Sequence, residues 1–328
     1  MLTHRLAARR LPRATVAASE ASRSWPFAFS RVSLRVMDFI RRAIERQVLG
    51  LSGVALGQID FERPPGDPGL YGPDAVCWRV HGDFTSMMAG GIAALLMQAL
   101  HPLALAGVWE HSNFREDLLG RLRRTGQFIS GTTFAARADA DALIERVKRI
   151  HLRVVGTAPD GRPYAASDPA LLTWVHVAEV HHFMAAHLRY RNPRLPLDEQ
   201  NRYYAEVARV AERLGARDVP RTHEAMVDYL NAMRPQLRGD ERSREILRIL
   251  LTAPAPSVLA VPMGMLLMRA GIDLLPGWAQ AEIGHAIAPW QSRLIRPAVN
   301  GLGTLLRWAV RNGAMHRAHR RMGLVGRA

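Results

Sequence analysis

The stretch "DFTSMMAGGIAALLMQALHPLALAGVWEH" has no Asp, Glu, Lys or Arg between Asp83 and Glu110. A run this long and apolar has to leave water, either in a bilayer or at the centre of a packed domain. Gly90, Gly91, Gln98, His101 and Pro102 interrupt it, and "APAPSVLAVPMGMLLM", the next most apolar segment, is shorter and broken by prolines. The run therefore reads as the central buried helix of a helical domain. The chain is expected to be cytoplasmic, with peripheral membrane contact as the variant of that expectation.

The pattern around the run agrees. Apolar residues recur at helical spacing through most of the chain, and no alternating strand pattern stands out. "MDFIRRAIERQVLG" reads as an amphipathic helix ending at Gly50, and 51–75 as a connector. Helices are expected near 115–133, 139–155, 168–191, 198–214, 221–233, 240–252, 257–272, 277–290 and 293–312. Asp168 is the expected N-cap of the one before "PALLTWVHVAEVHHFM". The reading is one all-α domain over 37–328. Residues 1–36, basic and almost free of acid, are expected to form a disordered extension outside the fold.

Charge narrows the function less than it first suggests. The net +15 comes mostly from arginine spread along the chain. No zinc-finger, basic-zipper or RNA-recognition pattern accompanies it, so nucleic acid is not an expected partner. The single cysteine, Cys77, excludes an internal disulfide and any cysteine-based metal centre. No phosphate-binding loop, nucleophile elbow or His-Glu-x-x-His motif is present, which argues against dinucleotide and hydrolase chemistry.

Two adjacent helices carry the candidate chemistry. In "DADALIERVKRIHLRVVG", Leu143, Val147, Ile150, His151 and Val154 share one face, so His151 is expected to point inward. An inward imidazole is commonly a core residue, but one walled by aliphatics is also what a buried haem iron needs. In the preceding helix, Arg121, Arg124 and Thr125 lie at i, i+3 and i+4 on one side. Such a stripe is either a solvated basic face or a surface that meets haem propionates and bound dioxygen.

From "GGIAALLMQALHP" through "HSNFREDLLGRLRRT", "HLRVVG" and "DGRPYAASDPALLTWVH", the sequence resembles the family of latex-clearing rubber oxygenases and MpaB-type oxygenases. The resemblance is clear over about residues 80–190. It implies an all-α fold with a globin-like core around haem b, His151 as the axial iron ligand, and Arg121 and Thr125 as a polar distal pair. Read from the residues, Arg124 is a candidate propionate or substrate contact; His101, before Pro102, is expected to bond a carbonyl freed by the proline, with haem contact as the alternative. The partners expected are dioxygen, a lipophilic substrate such as an unsaturated one, and an electron donor.

The match departs from the family at two points. Some members carry a distal lysine ligand where this chain has Arg124, and a guanidinium offers no lone pair to iron. A distal glutamate base has only Glu110 as a counterpart, at a different spacing.

Two other readings stand beside haem. Glu179-x-x-His182 and Glu282-x-x-His285 are half of a di-iron carboxylate bundle, with Glu206 and Glu110 as the remaining ligands. A basic helical protein that simply docks on anionic membrane or nucleic acid is the non-enzymatic alternative. His176 and His181 lie on different sides of their helix, and core packing is the expectation for His181.

Overall fold

The computed structural model describes residues 28–253, 257 and 260–324. Contacts divide the chain into two units, 1–39 and 40–328. Of the first, the described part is the start of helix α1 (Ala28–Leu51). That helix begins upstream of Met37, so the expected boundary at 36/37 falls inside a regular element. Residues 1–27 of the expected extension lie outside the described residues. The second unit is all-α apart from one short hairpin.

The uncharged run is not one helix. It forms α3 (Phe84–Gln98) and α4 (Pro102–His111), bent by 105° at the break. Among the described residues no single helix is long and apolar enough to cross a membrane. Asp83 caps α3 by accepting from Ser86 N–H, and the preceding α2 (Val76–His81) is buried along most of its length.

At the bend, Pro102 opens α4 in the first-turn position where its missing N–H costs nothing. The Nδ1 of His101 accepts from Ala104 N–H at 3.4 Å. His101 is thus the N-cap of α4, with its ring against Trp174, and does not line the cavity described below.

α3 packs against α7 (Pro169–Tyr190) and α11 (Val261–Leu274) at the centre of the core. The glycines in its middle are interface residues. A Cβ on Gly90 would lie 2.7 Å from the carbonyl oxygen of His182 and 3.0 Å from the Cα of Phe183. Gly90→Ala is therefore expected to push two helix backbones apart, at a cost of about 1–3 kcal/mol. A fall in the urea midpoint, with no change in the slope, would show it.

The remaining helices follow the sequence expectation closely: α5 (Leu118–Phe134), α6 (Arg137–His151), α8 (Leu197–Leu214), α9 (His223–Met233) and α10 (Glu241–Thr252). The helix expected over 277–290 is only α12 (Gly277–Glu282), after which α13 (Pro289–Ala309) and α14 (Ala314–Arg321) complete the order.

The turn-rich connector after α6 contains the one strand pair among the described residues. β1 (Val155–Thr157) and β2 (Pro163–Ala165) pair antiparallel, with Gly156 opposite Tyr164. A Cβ on Gly156 would come within 2.5 Å of the Tyr164 hydroxyl, so a larger residue there would displace the tip of that ring. Asp168 does cap α7, accepting from Ala170 N–H.

Candidate functional site

Where α3, α4, α5, α6, α7, α10 and the hairpin meet, the structure forms a partly open cavity of about 310 Å³. This is at the lower end of the roughly 300–1,000 Å³ of small-molecule sites. Its wall is mostly apolar, with Leu95, Leu103, Val108, Val154, Leu171 and Val175 among the aliphatic residues. Into this apolar space project a few polar groups: His151, Arg121, Ser112, Gln98, His111 and Tyr164.

His151 is the last residue of α6 and faces the cavity. The buried stripe of that helix runs through Ala140 and Ile144, whereas Ile150, expected inside, is 48% exposed at the cavity rim. The Nδ1 of His151 is buried and has no hydrogen-bond partner. A helix C-terminus ordinarily favours imidazolium. Burial outweighs that here and holds the His151 pKa below its usual value, so the ring is neutral with a lone pair to offer.

Arg121, in the first turn of α5, reaches back to Ser112 and donates from Nη1 to its hydroxyl at 2.5 Å. No carboxylate pairs with it among the described residues. Burial, and then the like charge of Arg124, pushes its pKa down. The guanidinium is half-buried and its one hydrogen bond among the described residues is to Ser112.

The other two residues of the stripe are elsewhere. Arg124 is exposed and donates to Asn113 Oδ1 at 2.9 Å, with Asp117 3.4 Å away. Thr125 is exposed, and neither residue lines the cavity. The expected open polar wall of Arg121, Arg124 and Thr125 therefore reduces to Arg121. The reason is that α5 buries its second half, through Gln127, Gly131, Thr132, Thr133 and Phe134, while its first turns lie at the surface. Only a long side chain angled toward the N-terminus reaches the cavity from there.

Tyr164, in the middle of β2, is a residue the sequence reading passed over, since it sits in what looked like a plain connector. Its hydroxyl donates to the Glu110 carboxylate in a very short hydrogen bond, and burial followed by Glu110 pushes its pKa up to about 12. Glu110, considered as a distal base, is thus exposed on α4 and engaged by a phenol on the cavity wall.

The residues of the di-iron reading are not gathered. Glu206 accepts from the N–H groups of Val76 and Cys77, and Glu282 from Gly239 N–H. His182 donates from Nδ1 to Ala178 O at 2.7 Å in the core. Among the described residues no group of three or more His, Cys, Asp or Glu side chains is placed to hold a metal. Glu282→Ala and His285→Ala are accordingly expected to leave the iron content of the protein unchanged, as measured by elemental analysis.

His151 and Arg121, 30 residues apart in sequence, therefore share one apolar cavity. The family described as "ER-bound oxygenase mpaB/B'/Rubber oxygenase, catalytic domain" matches residues 78–311, from α2 through α13. No curated protein and no solved structure matches the chain. The match spans well over half of the sequence and every element that builds the cavity, and the chain belongs to the mpaB/rubber oxygenase family.

Proposed function

We propose that this oxygenase-family protein is a haem b-dependent oxidoreductase that uses dioxygen on a lipophilic substrate, taking its electrons from a separate donor. The observation that supports this best is the unpartnered, buried, neutral Nδ1 of His151 in the apolar cavity. The residues present suit haem: an imidazole lone pair, an aliphatic wall for a flat apolar ring, and one acid-free guanidinium for an anionic edge group.

Each group then has a physical task. His151 would hold the iron through an uncharged ring, and its depressed pKa keeps that ring unprotonated through neutral pH. Arg121 would fix a propionate or another carboxylate, its Ser112 contact orienting the guanidinium. The aliphatic wall excludes water and favours an apolar, for instance unsaturated, substrate over a polar one. Tyr164 and Gln98 provide hydrogen-bonding groups at the wall, with the Tyr164 proton shared toward Glu110. When bound, haem would supply the redox-active iron that dioxygen chemistry requires.

Titration of haem b into the purified chain tests the reading. One haem per chain is expected, followed by dioxygen uptake with a reductant and an unsaturated lipophilic compound. Saturable binding that is unaltered in His151→Ala would refute it. Arg121→Ala is expected to weaken haem retention by about tenfold or more, in line with an unscreened charge-assisted contact. Arg124→Ala and Thr125→Val, lying outside the cavity, should change it by less than about twofold.

A further inference from the structure

The last third of the fold carries an apolar surface that the oxygenase reading does not use. On α13, Val299, Gly303, Leu306 and Ala309 face the core. The opposite side carries Trp290, Leu294, Pro297, Gly301 and Leu305, all exposed and spaced at helical intervals. Trp290 is 62% and Leu294 64% exposed. The stripe runs roughly 22 Å along the helix. On α11, which packs against α13, Val261 and Met265 are exposed as well. None of these side chains lines the cavity.

Charge says what such a surface fits. Residues 283–328 contain eight arginines and not one Asp or Glu. The acids that contact α13 or precede it in sequence are already engaged, Asp83 with Arg307 of α13 itself. Asp273 is buried against Arg189, Arg296 and Ser292, and Glu282 accepts from Gly239 N–H. Arg293 and Arg269 are exposed and have no ion-pair or hydrogen-bond partner among the described residues. An exposed Trp and aliphatic ridge beside unpaired arginines, with no acid nearby, is the composition of a helix that lies in a lipid headgroup region.

A second copy of the chain fits poorly. An isologous pairing would set this acid-free, arginine-bearing surface against itself. We propose that the exposed face of α13, with Val261 and Met265 of α11 beside it, docks on an anionic membrane surface. Trp290 and Leu294 enter the interfacial layer while Arg269 and Arg293 meet lipid phosphates. This claim stands independently of the haem assignment.

Co-sedimentation of the full chain with phosphatidylcholine vesicles, with and without phosphatidylserine, tests it. Binding to the phosphatidylserine vesicles is expected, decreasing with salt. Trp290→Glu combined with Leu294→Glu should weaken it by roughly tenfold or more. Both sites are exposed, so circular dichroism and the melting temperature should be retained. Arg269→Glu with Arg293→Glu should lower binding to the anionic vesicles severalfold and leave the weaker binding to phosphatidylcholine alone.

Wild-type protein that stays in the supernatant would overturn the proposal. So would full binding by the Trp290/Leu294 variant, which would place the contact on another basic part of the chain. Self-association of the wild type in light scattering, abolished in that variant, would also overturn it and make the face a dimer interface.

Discussion

His151→Ala is expected to purify as a helical protein that retains almost no haem, with the Soret absorbance reduced at least about tenfold relative to wild type. The ring lines the cavity with a buried, unpartnered Nδ1, and burial keeps it neutral. Removing it takes away the bond to iron while leaving the aliphatic wall, which alone holds a flat apolar ring only weakly. Because His151 ends α6 and is half-buried, the cavity left behind should cost little stability. Circular dichroism and the melting temperature separate lost ligation from lost folding. His151→Met, which supplies a thioether of similar reach, should recover part of the binding with a shifted spectrum. Full haem occupancy with an unchanged spectrum in His151→Ala would remove this residue from the site.

Acid should unfold the protein well before its carboxylates titrate. Burial pushes His101, His176, His182 and His187 down to about 4, and His81 and His181 to about 3. Their unfolded value is near 6.5. The unfolded chain therefore binds more protons than the folded one as pH falls below 6.5, and stability present at neutral pH is lost through that window.

Each such ring costs about 1.4 kcal/mol per pH unit, or on the order of 2 kcal/mol at pH 5. His101, His182 and His187 are the most buried of them. These three alone would remove about 6 kcal/mol, comparable to the whole stability of a typical domain. Glu179, pushed up to about 7 by burial, acts in the opposite sense but is one group against several. The urea midpoint is expected to fall steeply between pH 7 and pH 5. A midpoint that holds constant across that range would show these rings to be solvated or paired in solution.

The helical architecture was largely legible because it rests on local periodicity. Apolar spacing located α5 through α11 to within a few residues, and Asp168 was recognised as a cap from its position before Pro169. What periodicity does not report is how helices end and cross. The bend between α3 and α4 depends on Pro102 and on the His101 side chain turning back to cap the next helix. The β1–β2 pair has three residues per strand, too short to show alternation, and so Tyr164 and its bond to Glu110 went unseen.

Of the residues singled out in the sequence, His151 and Arg121 both line the cavity, although the buried stripe of α6 runs through Ala140 and Ile144 rather than through Ile150. Arg124 and Thr125 were grouped with Arg121 because helical spacing shows which residues share a side. It does not show how far along the helix that side stays buried. Asp117 and Asn113 hold Arg124 at the surface, and no pattern within α5 predicts that.

The central claim is that the His151 cavity holds haem. The most direct measurement is the absorption spectrum of the freshly purified full-length protein, with iron quantified in the same sample. A Soret band with about one iron per chain, both lost in His151→Ala, is the expected result. Iron without a Soret band, or a protein that binds neither iron nor added haem b, would contradict it.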